Sequence, residues 1–380
     1  MNMIDRATID FAREHKDDDT ARLLLSAARY TDIDVPAAVQ QIEGRRTAKE
    51  KWPSLLQCED FLYPPRLNRE QASSEETARY KAQFVRGAHC ADLTGGMGID
   101  TIAFAVVAEH VDYVERDPHL CRLMEENCRA LGLSNVAVHC ADSIAWLETD
   151  FDLIFIDPAR RDSHGRKVSV FEDCTPDILK HLPMLQSHCR RMMVKASPMI
   201  DIDMACGQLG TVEEVHVVAA GGECKEVLFL CGERQGETMI VCGDRSFTRS
   251  GEAAAEVSLC AAVGRYLYEP DAALMKAGPY RSICQWYGVA MLGRNTHLYT
   301  SDCLVDGFAG RRFEVLQELR LSRKAVASVL PDGKAHVVTR NYPVAAADLQ
   351  RQLGLKEGGE LFVVATTVGT RPSGYLCRRI

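Results

Sequence analysis

The chain has 380 residues, 46% of them hydrophobic and 26% charged, which is typical of a globular protein with more than one domain. Its net charge of −8 argues against a protein that coats nucleic acid non-specifically, although it leaves room for a local basic patch. No apolar run approaches the roughly 18 residues of a membrane span, so we expect no membrane association. The 15 cysteines include no C-x-x-C pair, which predicts free thiols in a reducing cytoplasm and no metal site.

Residues 1–70 are predicted to form an N-terminal helical region. The segment 20–29 is rich in helix formers, and Asp34 is placed to cap a second helix that has Pro36 in its first turn. Ser73 and Glu76 have the spacing of a capping box, which predicts a helix over 77–84.

Residues 71–243 alternate between strand and helix patterns, which indicates an α/β domain with a mainly parallel sheet. The predicted strands are 90–93, 111–115, 136–140, 153–156, 192–195, 214–218 and 227–231. Only eight residues, 219–226, join the last two strands, too few for a helical crossover. These strands should therefore form an antiparallel hairpin at the end of the sheet.

Beyond residue 243 we expect smaller α+β domains. Residues 244–318 are interpreted as connecting helices, including one over 252–267, followed by a small domain with short strands. Residues 319–380 contain a predicted strand at 336–340, a helix at 344–353 and a strand at 359–367, which together indicate a β-α-β unit.

The segment Cys90–Thr101 has the order strand, glycine turn, helix that opens a doubly wound α/β domain. Its glycines do not follow the dinucleotide pattern G-x-G-x-x-G, and Asp92 and Asp100 flank them. Two carboxylates suit a cationic ligand better than a pyrophosphate. We therefore predict S-adenosylmethionine (SAM), which carries an ammonium and a sulfonium group, as the cofactor.

Acidic residues end the next two predicted strands. Glu115 lies 17 positions after Gly98, at a distance suited to an acid that accepts hydrogen bonds from both ribose hydroxyls. Asp142 can accept a hydrogen bond from the adenine amino group, or can simply cap the helix that begins after it. Both roles are compatible.

The motif Asp157-Pro-Ala-Arg-Arg follows a very apolar strand and supplies the predicted catalytic residues. It places a carboxylate, the rigid Pro158 and two guanidinium groups at the carboxyl edge of the sheet, where ligands bind. Lys195 follows the neighbouring strand and either meets an anionic substrate group or forms an ion pair with a carboxylate such as Asp157.

The segments 92–100, 114–117 and 155–161 together resemble the motifs of class I SAM-dependent methyltransferases. Residues 71–81, 339–343 and 355–361 are similar to segments of the bacterial group that also carries a ferredoxin-like domain and a C-terminal THUMP-like domain.

The resemblance implies a set of roles for individual residues. The predicted cofactor site comprises Asp92, Thr94, Gly95, Gly96, Gly98, Asp100, Glu115, Arg116, Asp142 and Ser143. The predicted catalytic residues are Asp157, Pro158 and Arg160, with Arg161 and Lys195 binding substrate. Ala159 and Arg160 stand where base-amino methyltransferases carry a second proline and an aromatic residue, so no side chain is provided there to stack a flipped base.

The expected function is methylation of a structured RNA, such as tRNA or rRNA, because true THUMP domains bind RNA. Two alternatives remain open. One is a methyltransferase for a protein or a small molecule, and the other is a non-catalytic RNA-binding adaptor. The sequence sets neither the methylated atom nor the oligomeric state.

Overall fold

The computed structural model describes residues 4–160, 171, 174–233 and 236–380. The chain divides into two compact units, Met1–Glu213 with Val227–Gln235 and Glu214–Glu226 with Gly236–Ile380. No helix within the described ranges is both long enough and apolar enough to cross a membrane.

Short helices form the first part of the first unit. They are α1 (Arg6–Glu14), α2 (Thr20–Leu25), α3 (Val35–Lys51), α4 (Arg66–Gln71) and α5 (Glu75–Ala82). Asp34 caps α3 by accepting a hydrogen bond from the Ala37 amide, as predicted. Arg45, Arg46 and Lys51 donate hydrogen bonds to backbone carbonyl oxygens of the same unit. These basic side chains therefore stabilise contacts within the first unit.

Alternating strands and helices follow. The strands are β1 (His89–Asp92), β2 (His110–Glu115), β3 (Val136–Cys140), β4 (Phe151–Ile156), β5 (Ala159–Arg160), β6 (Cys174–Thr175), β7 (Cys189–Ala196), β8 (Val212–Ala220) and β9 (Glu223–Cys231). The helices are α6 (Ile99–Ala105), α7 (Pro118–Leu131), α8 (Ser143–Trp146), α9 (Ile178–Ser187) and α10 (Ile202–Leu209). All seven predicted strands are present, with ends shifted by at most four residues.

The main sheet of the first unit has the strand order β9-β7-β4-β1-β2-β3. Neighbouring strands from β7 to β3 run parallel, and β9 runs antiparallel to β7. Gly221 and Gly222 join β8 to β9, and both have positive φ, as a tight hairpin turn requires. The mainly parallel sheet and the β8–β9 hairpin are confirmed, but the hairpin does not end the sheet, because the strands Met239–Cys242 and Arg245–Phe247 continue it beyond β8. Its central strand β4 is buried at nearly every position because both faces are covered.

The second unit contains its own seven-stranded sheet. Two strands, β10 (Met239–Cys242) and β11 (Arg245–Phe247), lie outside this sheet: β10 pairs with β8, and β11 pairs with β10. The seven strands of the sheet are β12 (Tyr266–Pro270), β13 (Ala290–Met291), β14 (Tyr299–Ser301), β15 (Gly310–Glu318), β16 (His336–Arg340), β17 (Leu361–Val368) and β18 (Arg371–Arg379). The helices are α11 (Arg249–Ala254), α12 (Ala272–Ala277), α13 (Ser282–Tyr287), α14 (Arg323–Val329) and α15 (Ala346–Leu353). The sheet order is β13-β14-β12-β15-β18-β17-β16.

The β-α-β unit predicted near the C-terminus is confirmed, because β16 and β17 are parallel and α15 connects them. The helix predicted over 252–267 is wrong beyond Ala254. Leu267 and Tyr268 are fully buried in β12, between β14 and β15, so cross-strand packing overrides the local helical pattern. Strand β18 was not predicted from the sequence, because its glycine and arginines obscure the alternation of apolar and polar residues.

Candidate active site

The glycine turn connects β1 to α6, and its glycines are required by the side chains beneath it. A Cβ atom on Gly95 would lie 2.2 Å from the Tyr113 ring, and one on Gly98 would lie 2.5 Å from Met124 Sδ. Gly96 and Gly98 also have φ values of 55° and 80°, a conformation that side chains disfavour. The Tyr113 hydroxyl donates a 2.7 Å hydrogen bond to the Gly96 carbonyl oxygen. The turn is therefore held from below by β2 and α7.

Asp92 ends β1 and supports the turn from inside the protein. Its side chain is 1% exposed and accepts hydrogen bonds from the Thr94 amide at 3.1 Å and the Thr101 hydroxyl at 2.7 Å. Burial raises the pKa of the Asp92 carboxyl to about 7, and the negative charges of Asp100 and Asp157 act in the same direction. Asp92 therefore supports the turn from within the protein, and its predicted contact with the cofactor stays a prediction.

Glu115 ends β2 beside the turn, and backbone amides fix its carboxylate. Oε2 accepts a 3.0 Å hydrogen bond from Gly96 N, and Oε1 accepts a 2.9 Å bond from Asp117 N. Each oxygen retains a second acceptor site, and the residue is half-buried. This carboxylate is therefore fixed by two amides, and its predicted contact with the ribose hydroxyls stays a prediction.

Asp142 follows β3, next to Glu115 in space, because the Ala141 amide bonds the Glu115 carbonyl oxygen at 3.0 Å. Asp142 caps α8, with Oδ1 accepting from the Ile144 and Ala145 amides at 3.1 Å each. Ser143 is the first residue of that helix, and Arg116 is exposed after β2. The capping role predicted for Asp142 is confirmed, and its adenine contact stays a prediction.

Asp157 follows β4 and is fixed at two points. Its amide donates a 2.7 Å hydrogen bond to Thr94 Oγ1, which ties it to the glycine turn on the neighbouring strand. Its Oδ2 lies 2.5 Å from Lys195 Nζ, at the end of β7. Lys195 is only 13% exposed, whereas Asp157 is 36% exposed. The ion pair between these two residues is one of the two possibilities that the sequence left open for Lys195.

The remainder of the Asp-Pro-Ala-Arg-Arg motif is only partly described. Pro158 lies between Asp157 and β5, and the backbone of Arg160 pairs with Cys174. Arg161 lies outside the described residues. The roles assigned to these three residues stay predictions.

A buried lysine that the sequence analysis missed lies behind the turn. Lys81 in α5 is 0% exposed, and its Nζ lies 3.2 Å from both Asp100 Oδ1 and Ser73 Oγ. Ser73 Oγ donates a 2.7 Å hydrogen bond to Asp100 Oδ2. Asp100 therefore already has a cationic partner within the protein. A usable signal was the spacing of the buried face of α5, which includes Thr77, Ala78, Lys81 and Ala82.

The predicted cap of this helix is wrong by one residue. Ser74, not Ser73, accepts the hydrogen bond from the Thr77 amide, and the helix begins at Glu75. Ser73 instead uses its hydroxyl on Asp100, so the segment before the helix contributes to the α6 side of the site.

The chain is similar to known proteins along its whole length. Family models match a ferredoxin-like domain at 266–308 and a THUMP domain-like region at 310–379. A crystal structure described as a candidate methyltransferase from Porphyromonas gingivalis W83 is similar over 100% of both chains, with a TM-score of 0.87 and 28% identity. The chain is also 27% identical, over 321 residues, to an uncharacterized S-adenosylmethionine-dependent methyltransferase of Mycobacterium tuberculosis, in two strains. That match covers 81% of this chain and 87% of the relative. The chain is a SAM-dependent methyltransferase.

The methyltransferase carries both matched domains on one sheet. β12, β13 and β14 belong to the ferredoxin-like region, and the strands from β15 to β18 belong to the THUMP-like region. Residues of β12 pair with residues of β15, so the two regions share a continuous ladder of hydrogen bonds.

Proposed function

We propose that this enzyme transfers a methyl group from SAM to a structured RNA, such as a tRNA or an rRNA, in the cytoplasm. The observation that carries the catalytic part is the Asp157–Lys195 ion pair, which Thr94 ties to the glycine turn. The fifteen cysteines, all free thiols, support a reducing compartment.

The cofactor is proposed to lie across the carboxyl ends of β1, β2 and β3. In this arrangement Gly95, Gly96 and Gly98 form the floor of the site, Glu115 accepts the ribose hydroxyls and Asp142 accepts from the adenine amino group. The proposed site also includes Asp92, Thr94, Asp100, Arg116 and Ser143. The support for it is that four neighbouring parallel strands end at the same edge, where α/β proteins bind ligands.

Methyl transfer is an in-line displacement in which the bond to the acceptor atom forms as the sulfonium–methyl bond breaks. The enzyme's main task is to hold the acceptor in line with the methyl carbon. We assign that task to Asp157, whose exposed fraction leaves its carboxylate accessible to an acceptor. Lys195 would hold this carboxylate in position through the ion pair. Pro158 would stiffen the loop, and Arg160 and Arg161 would bind an anionic group of the substrate.

The RNA part of the proposal is supported by charge. Residues 319–380 contain ten arginines and lysines against four acidic residues, whereas the whole chain has a net charge of −8. Within the described parts of the chain, six exposed basic side chains of this region form no ion pair. They are Arg320, Arg323, Lys324, Lys334, Lys356 and Arg379. Such unpaired cations can bind phosphates without first breaking an ion pair.

Other basic residues of the second unit are already paired. Arg311 and Arg340 form ion pairs with Glu269, a carboxylate that is 2% exposed in β12. Arg312 pairs with Asp306, and Arg371 pairs with Glu318. These arginines stabilise the sheet and its loops, so the unpaired set is the better candidate for contacts with RNA.

The direct test uses the purified full-length enzyme, SAM with a labelled methyl group, and total RNA separated by size class. The proposal expects label in one structured RNA class and none in the same RNA after nuclease treatment. Label that appears only in protein or in small molecules would overturn the RNA assignment but would leave methyl transfer intact.

A further inference from the structure

Three histidines surround one aspartate in the parallel sheet of the first unit, near the amino-terminal ends of β1 and β2. His89 and His110 are opposite each other in the β1–β2 register, and Asp112 follows two positions after His110. Ala137 of β3 is opposite Asp112, and His139 follows two positions later. Because successive side chains alternate between the faces of a sheet, all four side chains lie on one face.

The distances within this group are those of potential metal ligands. His89 Nε2 lies 2.7 Å and His110 Nε2 lies 3.8 Å from the same carboxylate oxygen, Asp112 Oδ2. The three donor atoms all lie within 4.8 Å of one another. His139 Nε2 lies 2.6 Å from the other oxygen, Asp112 Oδ1. Two imidazole nitrogens and one carboxylate oxygen therefore converge, and a third imidazole supports the carboxylate.

This group is accessible although its centre is buried. The side chain of Asp112 is 11% exposed, whereas those of His89, His110 and His139 are 42%, 41% and 31% exposed. The connection from β3 to β4 contains only the four-residue helix α8, whose Trp146 ring lies 4.6 Å from the ring of His139. A small cation can reach the carboxylate from solvent between the imidazole rings.

We propose that His89, His110 and Asp112 bind a zinc-class transition-metal ion, with a water as the fourth ligand. Zn²⁺ takes nitrogen and carboxylate ligands tetrahedrally at about 2.0–2.2 Å, which sets neighbouring ligand atoms about 3.3 Å apart. The observed separations of 2.7 and 3.8 Å lie on either side of that value, so small side-chain rotations bring the atoms into place. On binding, His89 presents the lone pair of Nε2 and carries its proton on Nδ1.

His139 is a positioning residue in this proposal. It donates to the carboxylate oxygen that does not bind the ion and so orients Asp112, the kind of outer contact that tunes metal affinity. The proposed ion cross-links the first residues of β1 and β2, at the strand ends opposite to those that carry the glycine turn and Glu115. Its expected effect is on stability and not on SAM binding.

The sequence shows no recognisable metal-ligand spacing, because only His110 and Asp112 share a strand and His89 lies on the neighbouring one. Asp112 lies 23 positions from His89 and 27 positions from His139. Only the parallel register of β1, β2 and β3 places them together.

The test is isothermal titration of ZnCl₂ into the full-length protein without a polyhistidine tag. His110→Ala is the decisive variant, because His110 Nε2 is too far from Asp112 to hydrogen-bond to it, so its removal should leave the metal-free melting temperature unchanged. The variant should lose more zinc affinity than the about 10–100-fold that loss of an outer partner costs. His139→Gln should fall within that range.

His188→Ala is the matched control, since His188 pairs with Asp150 at 3.2 Å without a second histidine in reach of that carboxylate in the described chain. Its zinc affinity should equal that of the wild type. Zinc should also raise the melting temperature of the wild type but not that of His110→Ala. Absence of zinc binding to the wild type, or equal binding by His110→Ala and the wild type, would overturn the proposal.

Discussion

The carboxyl edge of the parallel sheet and the THUMP-like region differ in how firmly their charged side chains are held in place. At the sheet edge, the carboxylates of Asp92, Glu115 and Asp157 are each fixed by at least one backbone amide, hydroxyl or ammonium group. In residues 319–380, by contrast, several basic side chains are exposed and have no ion-pair partner in the described structure. A small cofactor and an in-line displacement require fixed geometry, whereas a long polyanion is bound by charges that can adjust. The contrast fits the proposal that the sheet edge performs the chemistry and the THUMP-like region binds the substrate.

The largest expected effect is a loss of unfolding free energy when Lys81 is replaced. Lys81→Ala leaves Asp100, whose side chain is 12% exposed, without its buried ammonium partner. Removing one member of a buried ion pair costs about 3–5 kcal/mol of unfolding free energy. Denaturant titration measures this loss. The double variant with Asp100→Asn should recover part of it, and a single variant as stable as the wild type would contradict the role of this pair.

The next effect concerns the glycine turn. Gly95→Ala places a methyl group 2.2 Å from the Tyr113 ring, so the turn must move and SAM affinity should fall at least tenfold. Overpacking of this kind costs about 1–3 kcal/mol of stability. Gly207→Ala in α10 is the control, because a Cβ there meets nothing within 4 Å. Calorimetry and thermal melting compare the two variants; equal SAM affinities would show that the turn does not bind the cofactor.

A pH titration tests the charge of Asp92. The ordinary pKa of this carboxyl is 3.8 and the folded value is about 7, so between these pH values the folded protein holds a proton that the unfolded chain has released. Protonated Asp92 therefore contributes to folding stability at low pH, and this contribution is lost as the pH rises through about 7.

The same carboxyl should couple to the cofactor. A bound sulfonium or ammonium favours ionised Asp92, so SAM affinity should rise with pH up to about 7, by at most about tenfold per pH unit, and then level off. Asp92→Asn should flatten this profile, whereas Asp142→Asn at an exposed position should keep its shape. A profile that Asp92→Asn leaves unchanged would remove Asp92 from the site.

The smallest effect is expected from the exposed basic residues of the THUMP-like region. Replacing Arg320, Arg323 and Lys324 by alanine should weaken RNA binding at every sequence and lower the slope of log affinity against log salt by about 2, since each phosphate contact contributes about 0.7–0.9. The control replaces three exposed basic residues of the first unit, Arg29, Arg86 and Lys180, and keeps the same change in net charge. Equal slopes for the two triple variants would assign RNA binding to overall charge and not to this region.

These two regions also differ in how far the sequence predicted them. The sheet and its turn were predictable because alternation, glycine spacing and an apolar run such as 151–156 are local signals. The ion pair of Lys81 with Asp100 was not, since a lysine in a helix reads as solvent-exposed until the packing of α5 on α6 is known. In the second unit, β12 was mistaken for helix because its burial depends on strands more than thirty residues away.

The central claim is that Asp157 aligns the methyl acceptor, and one experiment on Asp157→Asn tests it most directly. On the same protein, one measures the melting temperature, the SAM affinity and the single-turnover rate of methyl transfer to the RNA class identified above. Asp201→Asn, at an exposed helix cap beyond β7, serves as the control. The account predicts a folded Asp157→Asn protein with near-normal SAM affinity and a single-turnover rate lowered by at least about a hundredfold, as expected for loss of an aligning or proton-accepting group. A rate close to that of the wild type in a folded, SAM-binding variant would contradict it.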